Sequence, residues 1–367
     1  MKRILVFGMT ENPGGVENFL MTYYRRIDRS AIQFDFLCNT HSKVAFEDEL
    51  IGLGARMFHI TSRRENRRKF YDELNSLFRE KAGEWHAIWV NVSSLANIDY
   101  LIAAKKAGIR KRIIHSHNSG NMEGMIRQVL HEGNRIRIGK YATDLWACSD
   151  IAARWFYRTP LLDRVVIVSN AIDVESKQFD PEKREEIRKR IGWEDKFIIG
   201  NVGRLHFQKN QTFLIDVFSK YHSMNPDSRL VMVGQGEDEA KLKEQVKALG
   251  LQDDVLFTGV QSDVQAWLSS FDLFCLPSVF EGFGIVTLEA EANGLPVLVS
   301  ECSIPEKLRI NGNVRSLPLE RGHEEWAQAI EEMRGIKREQ PDAVRERIRD
   351  SGFDIRTEVK KLEQLLA

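Results

Sequence analysis

The stretch Pro277–Ser300, PSVFEGFGIVTLEAEANGLPVLVS, reads as the end of a strand, a turn on Gly282-Phe283-Gly284, a helix starting near Gly284, and a second strand. Two apolar strands joined through a helix make the repeating unit of a parallel sheet covered on both faces. Two carboxylates bracket the turn, Glu281 before the glycines and Glu289 inside the helix. An acid at a helix start complements the helix dipole, which accounts for Glu281. Glu289 has Ile285, Val286, Leu288 and Ala292 around it, the pattern of a buried helix. A buried carboxylate needs hydrogen-bond partners, and hydroxyl groups of a sugar or ribose would supply them.

Similar apolar runs recur along the chain. RILVFG, FDFLCN, RMFHI, AIWVN, RIIHSHN, DLWACS and VVIVSN precede residue 171, and FIIGNVG, RLVMVG, VLFTG, LFCLPS, PVLVS and VRSLPL follow it. Runs of this kind alternating with amphipathic stretches predict two doubly wound α/β domains, which suits a 367-residue chain. The expected boundary lies in SNAIDVESKQFDPEKREEIRKRIG, with Pro181 opening a polar helix. The expected divisions are an N-terminal domain over residues 1–170, a C-terminal domain over 171–350 and a last helix within 351–367. That helix repeats apolar residues at Val359, Leu362, Leu365 and Leu366, so it buries one face. Periodicity leaves open which domain receives it.

A hydrophobic content of 43% with 29% charged residues describes a soluble globular protein, and no apolar run approaches the ~20 residues of a membrane span. The opening MKRILVFGMTENPGG is basic and then apolar. Its apolar part, Ile4 to Met9, is shorter than the ~7–15 residues of a secretory core and reads as a first buried strand. Cys38, Cys148, Cys275 and Cys302 are far apart and lack metal-ligand spacing; buried thiols in a reducing, cytoplasmic compartment are expected. The zero net charge conceals an asymmetry: residues 1–170 hold 26 Lys and Arg against 18 Asp and Glu, a net of +8, balanced by −8 in the remainder. The cluster SRRENRRKFYDELNSLFREK (62–81) carries much of this excess. It is either a solvated helix face or a basic surface for an anionic membrane or a phosphate-bearing substrate.

Parallel α/β sheets bind ligands at the carboxyl ends of their strands. In ENPGGVENF, Gly14 and Gly15 form the first strand-to-helix turn, where peptide N–H groups can approach an anion. In RIIHSHNSGN, His115 and His117 face one side of a strand end; no third ligand and no D-x-D motif accompany them, so His117 is expected to hydrogen-bond in a cleft and His115 to lie in the core. In GNVGRLHFQKNQ, Gly203 precedes Arg204, and Lys209 precedes a helix: two cations that suit a diphosphate. Gly234 and Gly236 make a further glycine turn, and Gly259 follows a strand where backbone groups could meet a base edge. The dinucleotide fingerprint G-x-G-x-x-G is missing, which weighs against a nicotinamide oxidoreductase.

The ordered set Gly14-Gly15, His117, Gly203-Arg204, Lys209 and Glu281-x7-Glu289, followed by NGLPVLVS, resembles the retaining glycosyltransferases of family 4, over nearly the whole chain. Its opening is most like bacterial capsular and exopolysaccharide transferases. Ala171 stands where that family commonly has glycine, and ECSIPEKLRING lacks its usual D-G-x-x-G. The resemblance implies a GT-B fold, two Rossmann-like domains facing across a cleft, the first for the acceptor and the second for a nucleotide sugar. It implies that Arg204, Lys209, the backbone of Gly14 and Gly15 and the helix start at Gly282, Phe283 and Gly284 hold a diphosphate without metal or other cofactor. Gly203, Gly234 and Gly259 would line the nucleotide. Glu281 would accept from the donor sugar, Glu289 from the ribose, and His117 would touch the sugar from the first domain. A UDP-sugar donor, a glycan or polyprenyl-diphosphate-linked acceptor, peripheral contact with the inner membrane face through Arg63, Arg64, Arg67 and Arg68, and no nucleic-acid partner complete the expectation. A non-catalytic sugar-nucleotide binding subunit and a sugar-nucleotide epimerase are the alternatives.

Overall fold

The computed structural model describes residues 1–118, 120, 124–281, 283–301 and 306–367; Gly282 and Cys302 therefore lie outside the described residues. Contacts divide the chain into two units, Met1–Ala171 with Ile355–Ala367, and Ile172–Asp354.

Each apolar run read from the sequence forms a strand. The first unit holds β1 (Lys2–Phe7), β2 (Ile32–Cys38), β3 (Met57–His59), β4 (Ala87–Val92), β5 (Lys111–Ser116), β6 (Asp144–Ala147) and β7 (Val165–Ile167). They form one sheet in the order β3-β2-β1-β4-β5-β6-β7, every pair parallel. Both faces are covered, as the unbroken burial of β2 shows. On one face Phe19, Tyr24, Phe34, Phe36 and Trp89 form the core.

The second unit holds β8 (Phe197–Val202), β9 (Ser228–Val233), β10 (Val255–Phe257), β11 (Leu273–Leu276), β12 (Val297–Ser300) and β13 (Val314–Leu317), in the order β10-β9-β8-β11-β12-β13. These pairs too are parallel. In both sheets the chain reverses its direction of winding beside the first strand, between β1 and β4 and between β8 and β11. Loops leaving the carboxyl ends of such a pair diverge to opposite faces and open a crevice. This topology places Gly8 and Asn91 at one such point, and Gly203 and Ser278 at the other.

The last helix, Ile355–Leu366, packs on the first unit: Ile355, Val359, Leu362 and Leu366 join the core that contains Ile4, Phe34 and Trp89. Residues 351–354 stay with the second unit, because Ile172 N–H donates to Phe353 O at 2.9 Å and Ile172 bridges Asp354. The unit boundaries thus fall at 171/172 and 354/355, against the 170/171 and 350/351 expected. Pro181 opens the helix Pro181–Ile191, capped by the Asp180 carboxylate. Cys38, Cys148 and Cys275 are buried thiols.

The basic cluster at 62–81 forms the helix Arg67–Lys81, which buries Phe70, Leu74 and Phe78. Arg63 points to Asp99 Oδ2 at 2.8 Å and to Ala96 O, while Arg68 is exposed and lies 3.9 Å from Asp72. This is a solvated face with one arginine turned inward.

Candidate donor site at the second sheet

The site is built where β8 and β11 end. After β8 the chain passes Gly203 and Arg204 into a short turn, Phe207–Lys209, and then the helix Gln211–Met224. Asn210 takes a left-handed conformation, φ 56°, between turn and helix, so Lys209 stands two residues before the helix. After β11 the loop carries Ser278 and Glu281. The two loops are stitched together: Val279 N–H donates to Gln208 O at 2.8 Å, and the Gln208 side-chain amide donates to Phe280 O at 3.0 Å. Beside these bonds Lys209 Nζ reaches Glu281 Oε1 at 2.6 Å, and Ser278 Oγ donates to the same oxygen at 2.7 Å. Both members of the ion pair are largely buried. The lysine stem runs over Gly203, where a Cβ would lie 3.0 Å from Lys209 Cε.

Arg204 lies on the exposed rim. Its guanidinium grips Glu237 with two bonds, Nε to Oε2 at 3.0 Å and Nη2 to Oε1 at 3.2 Å. His206 Nε2 lies 3.1 Å from the same carboxylate. The loop backbone is fixed from below by Gln211, whose amide donates to Arg204 O at 3.1 Å and to Asn201 Oδ1 at 3.3 Å. One arginine and one lysine are therefore held on a short loop, each oriented by a carboxylate from a neighbouring loop.

The glycines have more definite work than the sequence suggested. A Cβ on Gly234 would fall 2.1 Å from Gly203 O, so glycine is required there for the β8 and β9 loops to pack. Its N–H donates to Gly259 O at 2.9 Å. The peptide N–H of Gly234 and the carbonyl of Gly259 thus serve each other and hold the ends of β9 and β10 together. Gly284, with φ 75°, caps the helix Ile285–Ala292 without a side-chain hydrogen bond, as a left-handed helix start demands of a residue with no Cβ. The first-turn N–H groups of a helix have no partner within it. Phe283 is buried with its ring 5.4 Å from Phe353, so it anchors the turn.

Glu289 departs from expectation. It is only partly buried, and Lys177 Nζ lies 2.8 Å from its Oε1; the chain supplies the partner that a ligand hydroxyl was expected to supply. The fully buried acid of this helix is Glu291. Its Oε2 accepts from Ile310 N–H and Asn311 N–H, both at 2.8 Å. Burial nevertheless pushes its pKa up to about 8.

In the first unit, Gly14 caps the helix Gly15–Tyr24. The anion nearest its N–H is internal: Glu17 Oε2 accepts from Gly14 N–H at 3.1 Å, and Oε1 accepts from Thr10 N–H at 3.1 Å and Thr10 Oγ at 2.5 Å. Burial raises the Glu17 pKa, partly offset by these bonds. A Cβ on Gly14 would press on this carboxylate at 2.9 Å, whereas one on Gly15 meets no described atom within 4 Å.

His115 is fully buried against Trp89, the core position expected of it. His117 follows β5 with its ring 4.1 Å from that of His115 and 4.8 Å from that of Phe19. Asn91 donates through Nδ2 to Phe7 O at 3.2 Å, which turns Oδ1 toward His117 Nε2 at 2.9 Å. Nε2 therefore carries the proton and Nδ1 the lone pair. Burial pushes the His117 pKa down to about 3, so the ring is neutral at pH 7. Among the described residues no group of three or more His, Cys, Asp or Glu side chains is arranged to hold a metal ion.

Sequence reading missed Ser278, Glu237, Lys177 and Asn91. Ser278 and Glu237 sit within three residues of residues it did choose, on the same loops. Lys177 and Asn91 come from distant segments, and only the fold pairs them with Glu289 and His117.

The profile of the family described as Glycosyl transferases group 1 matches residues 183–350, which lie in the second unit. EpsF of Bacillus subtilis (strain 168), named as a glycosyltransferase, is 30% identical over 369 residues, covering 98% of this chain and 95% of its own. The UDP-Gal:alpha-D-GlcNAc-diphosphoundecaprenol alpha-1,3-galactosyltransferase of Escherichia coli is 29% identical over 252 residues, 65% of this chain and 62% of that one. Among solved structures, HepE of Anabaena in complex with UDP and glucose superposes with a TM-score of 0.82 at 20% identity, covering 100% of this chain and 99% of that one. The lipopolysaccharide-biosynthesis glycosyltransferase WaaG superposes with a TM-score of 0.73 at 14% identity, with 99% of each chain covered. Two parallel-sheet units with the fold of these enzymes, and similarity to EpsF along nearly the full length, establish that the chain belongs to the group 1 glycosyltransferases and is a GT-B glycosyltransferase.

Proposed function

We propose that this glycosyltransferase moves a hexose or N-acetylhexosamine from a UDP-sugar to a glycan or lipid-linked oligosaccharide in surface polysaccharide synthesis, retaining the anomeric configuration and using no metal. The observation that carries the reading is the Lys209–Glu281 pair at 2.6 Å, with Arg204 on the same loop, at the point of the second sheet where the winding reverses.

As a glycosidic bond to a diphosphate breaks, negative charge grows on the departing phosphate oxygen. A cation about 4 Å away contributes about 4 kcal/mol of gross attraction at an effective dielectric of about 20. Arg204 and Lys209, with the helix start at Gly284, would stabilise that charge as a divalent ion does in other sites. Glu281 fixes where Lys209 stands, and we assign it a further contact with a donor-sugar hydroxyl. Glu289, held by Lys177, would receive the ribose. Two acids already committed to lysines serve as receptors and positioning groups, not as an acid–base couple. For Gly15 and His117, in the first unit, a part in donor handling rests on the family resemblance; a neutral His117 whose Nδ1 can accept from a hydroxyl is compatible with it.

The UDP in the HepE complex and the UDP-galactose and diphosphoundecaprenol in the name of the E. coli relative support a uridine nucleotide and a lipid-linked acceptor here. The test is a panel of nucleotide sugars scored by hydrolysis and by thermal protection, with and without chelator. Protection by UDP-sugars and turnover indifferent to chelator are expected. Turnover abolished by chelator and restored by manganese would overturn the metal-free mechanism, and protection by other nucleotides alone would overturn the donor assignment.

A further inference from the structure

The helix Met125–Tyr141 in the first unit inverts the usual arrangement of a surface helix. Apart from the buried Ile138, its inward side is polar and hydrogen-bonded. His131 Nδ1 accepts from Leu95 N–H at 3.0 Å, and the ring stacks on Trp155 at 4.3 Å. Asn134 donates to Leu95 O at 2.7 Å, and Arg135 donates to Tyr157 O at 2.9 Å. Its outward side carries Met125, Ile126, Val129, Leu130 and Ile136, which are 43% to 81% exposed. At about 100° per residue these five fall within one arc, opposite His131 and Ile138. A helix of a soluble domain ordinarily turns its apolar stripe inward and its polar face to water, so this face is built to meet something apolar.

Charge narrows the choice of what it meets. Arg137 and Lys140 fall within the same arc and are exposed, and Glu132, the single acid of the helix, is engaged by Arg135 at 3.0 Å. At the end of the helix the Tyr141 ring receives Lys105, Arg137 and Lys140 within 5.6 to 5.9 Å. Apolar side chains interleaved with cations, ending in an aromatic ring, match the boundary between acyl chains and anionic headgroups. The interior of a protein–protein interface is instead depleted of charge. No described helix is long and apolar enough to cross a membrane, so the contact would be interfacial.

We infer that Met125–Tyr141 docks this protein on an anionic bilayer surface. The cluster at 62–81 is a weaker candidate, since its helix buries its apolar side chains and Arg63 is turned to Asp99. The inference extends the lipid-linked acceptor proposed above. Because vesicle binding is measured without donor, its failure and the failure of the donor assignment are separate results.

The test is co-flotation of the full chain with vesicles of phosphatidylcholine mixed with phosphatidylglycerol, and with phosphatidylcholine alone. Wild type should bind the mixed vesicles and release as salt is raised. Ile126→Glu with Val129→Glu should reduce binding at least about tenfold, and Arg137→Glu with Lys140→Glu should abolish the preference for anionic lipid. All four positions are exposed, so both variants should keep the wild-type melting temperature and UDP protection. Wild type that ignores vesicles, or an apolar-face variant that binds as wild type does, would overturn the inference. So would a lipid-free dimer that the Ile126→Glu, Val129→Glu variant splits into monomers, since the face would then be a protein interface.

Discussion

Lys209 Nζ and Glu281 Oε1 meet at 2.6 Å across the loops that leave β8 and β11, and Ser278 Oγ donates to the same oxygen. The ammonium is thus held at the carboxyl end of the sheet by a buried carboxylate. Removing one partner of a buried pair takes the opposite charge away from the other. Lys209→Ala should therefore lower kcat/KM by about 10²–10³-fold and also lower the melting temperature. Lys209→Ala with Glu281→Ala should be more stable than the sum of the single effects predicts, because the other charge is gone too. Steady-state kinetics and thermal melts of the three variants check this. Additive destabilisation would show that the pair does not act as a unit.

Arg204 presents the opposite case. Its pair with Glu237 is 61% exposed on the arginine side, and exposed ion pairs contribute about 0–1 kcal/mol to stability. Arg204→Ala should leave the melting temperature nearly unchanged while lowering turnover by about 10²-fold or more. Lysine cannot reproduce the two-pronged grip, so Arg204→Lys should recover only part of the rate. Near-normal turnover of Arg204→Ala would remove this residue from the phosphate machinery.

The strands were legible because the central ones, such as β2, β11 and β12, are buried along their whole length and so spell near-continuous apolar runs, which set the pattern by which the shorter, partly buried strands at the edges could be read. Candidate site residues stood out only where a residue type is unusual in its local setting: an arginine and a lysine after a strand, two acids around a glycine turn. What stayed hidden is pairing. Nothing local to Glu289 announces Lys177, more than a hundred residues away, and the apolar neighbours of Glu289 hid the turn of the helix that leaves it half open while Glu291 is shut in. At Gly234 the sequence could not separate close backbone packing from ligand approach, because both demand a missing side chain, and at Gly259 it could not show that a φ of 67° already favours glycine. The placement of the last helix was equally open, since its period of apolar residues states that one face is buried and not against what.

Two titrations of opposite sense, at the buried Glu291 and the partly buried His117, predict the pH dependence of stability. Glu291 has a folded pKa of about 8 against an ordinary value of 4.5. Its contribution is fully present below pH 4.5 and is lost as pH rises through 8, because the unfolded chain releases a proton that the folded chain keeps. His117, pushed down to about 3 from 6.5, gives stability that is present above pH 6.5 and lost as pH falls. Stability should therefore peak on the weakly acidic side of neutral. Glu291→Gln should flatten the alkaline limb by a few kcal/mol, on the order of 1.4 kcal/mol per pKa unit, and leave the acidic limb in place. Denaturant titrations from pH 3 to 9 measure both limbs, and an unchanged alkaline limb in Glu291→Gln would assign that slope to other groups.

The last helix ties the end of the chain to its beginning. Ile355, Val359, Leu362 and Leu366 are buried in the core of the first unit with Ile4, Phe34 and Trp89, and Glu363 Oε1 accepts from Asp28 N–H at 2.7 Å. Burying one large aliphatic side chain contributes about 1.5–3 kcal/mol, so four of them rival the ~5–15 kcal/mol net stability of a whole domain. Leu362→Ala should destabilise the first unit by about 2–5 kcal/mol, and ending the chain at Asp354 should unfold that unit while the second survives. Limited proteolysis followed by mass spectrometry separates the two outcomes: a protected fragment covering about residues 172–354 is expected from the shortened chain. Its nucleotide affinity should persist if the donor phosphates are held by Arg204 and Lys209, both of which it contains. A shortened chain that melts as a single intact protein would show that the helix is an accessory to the first unit and not part of its core.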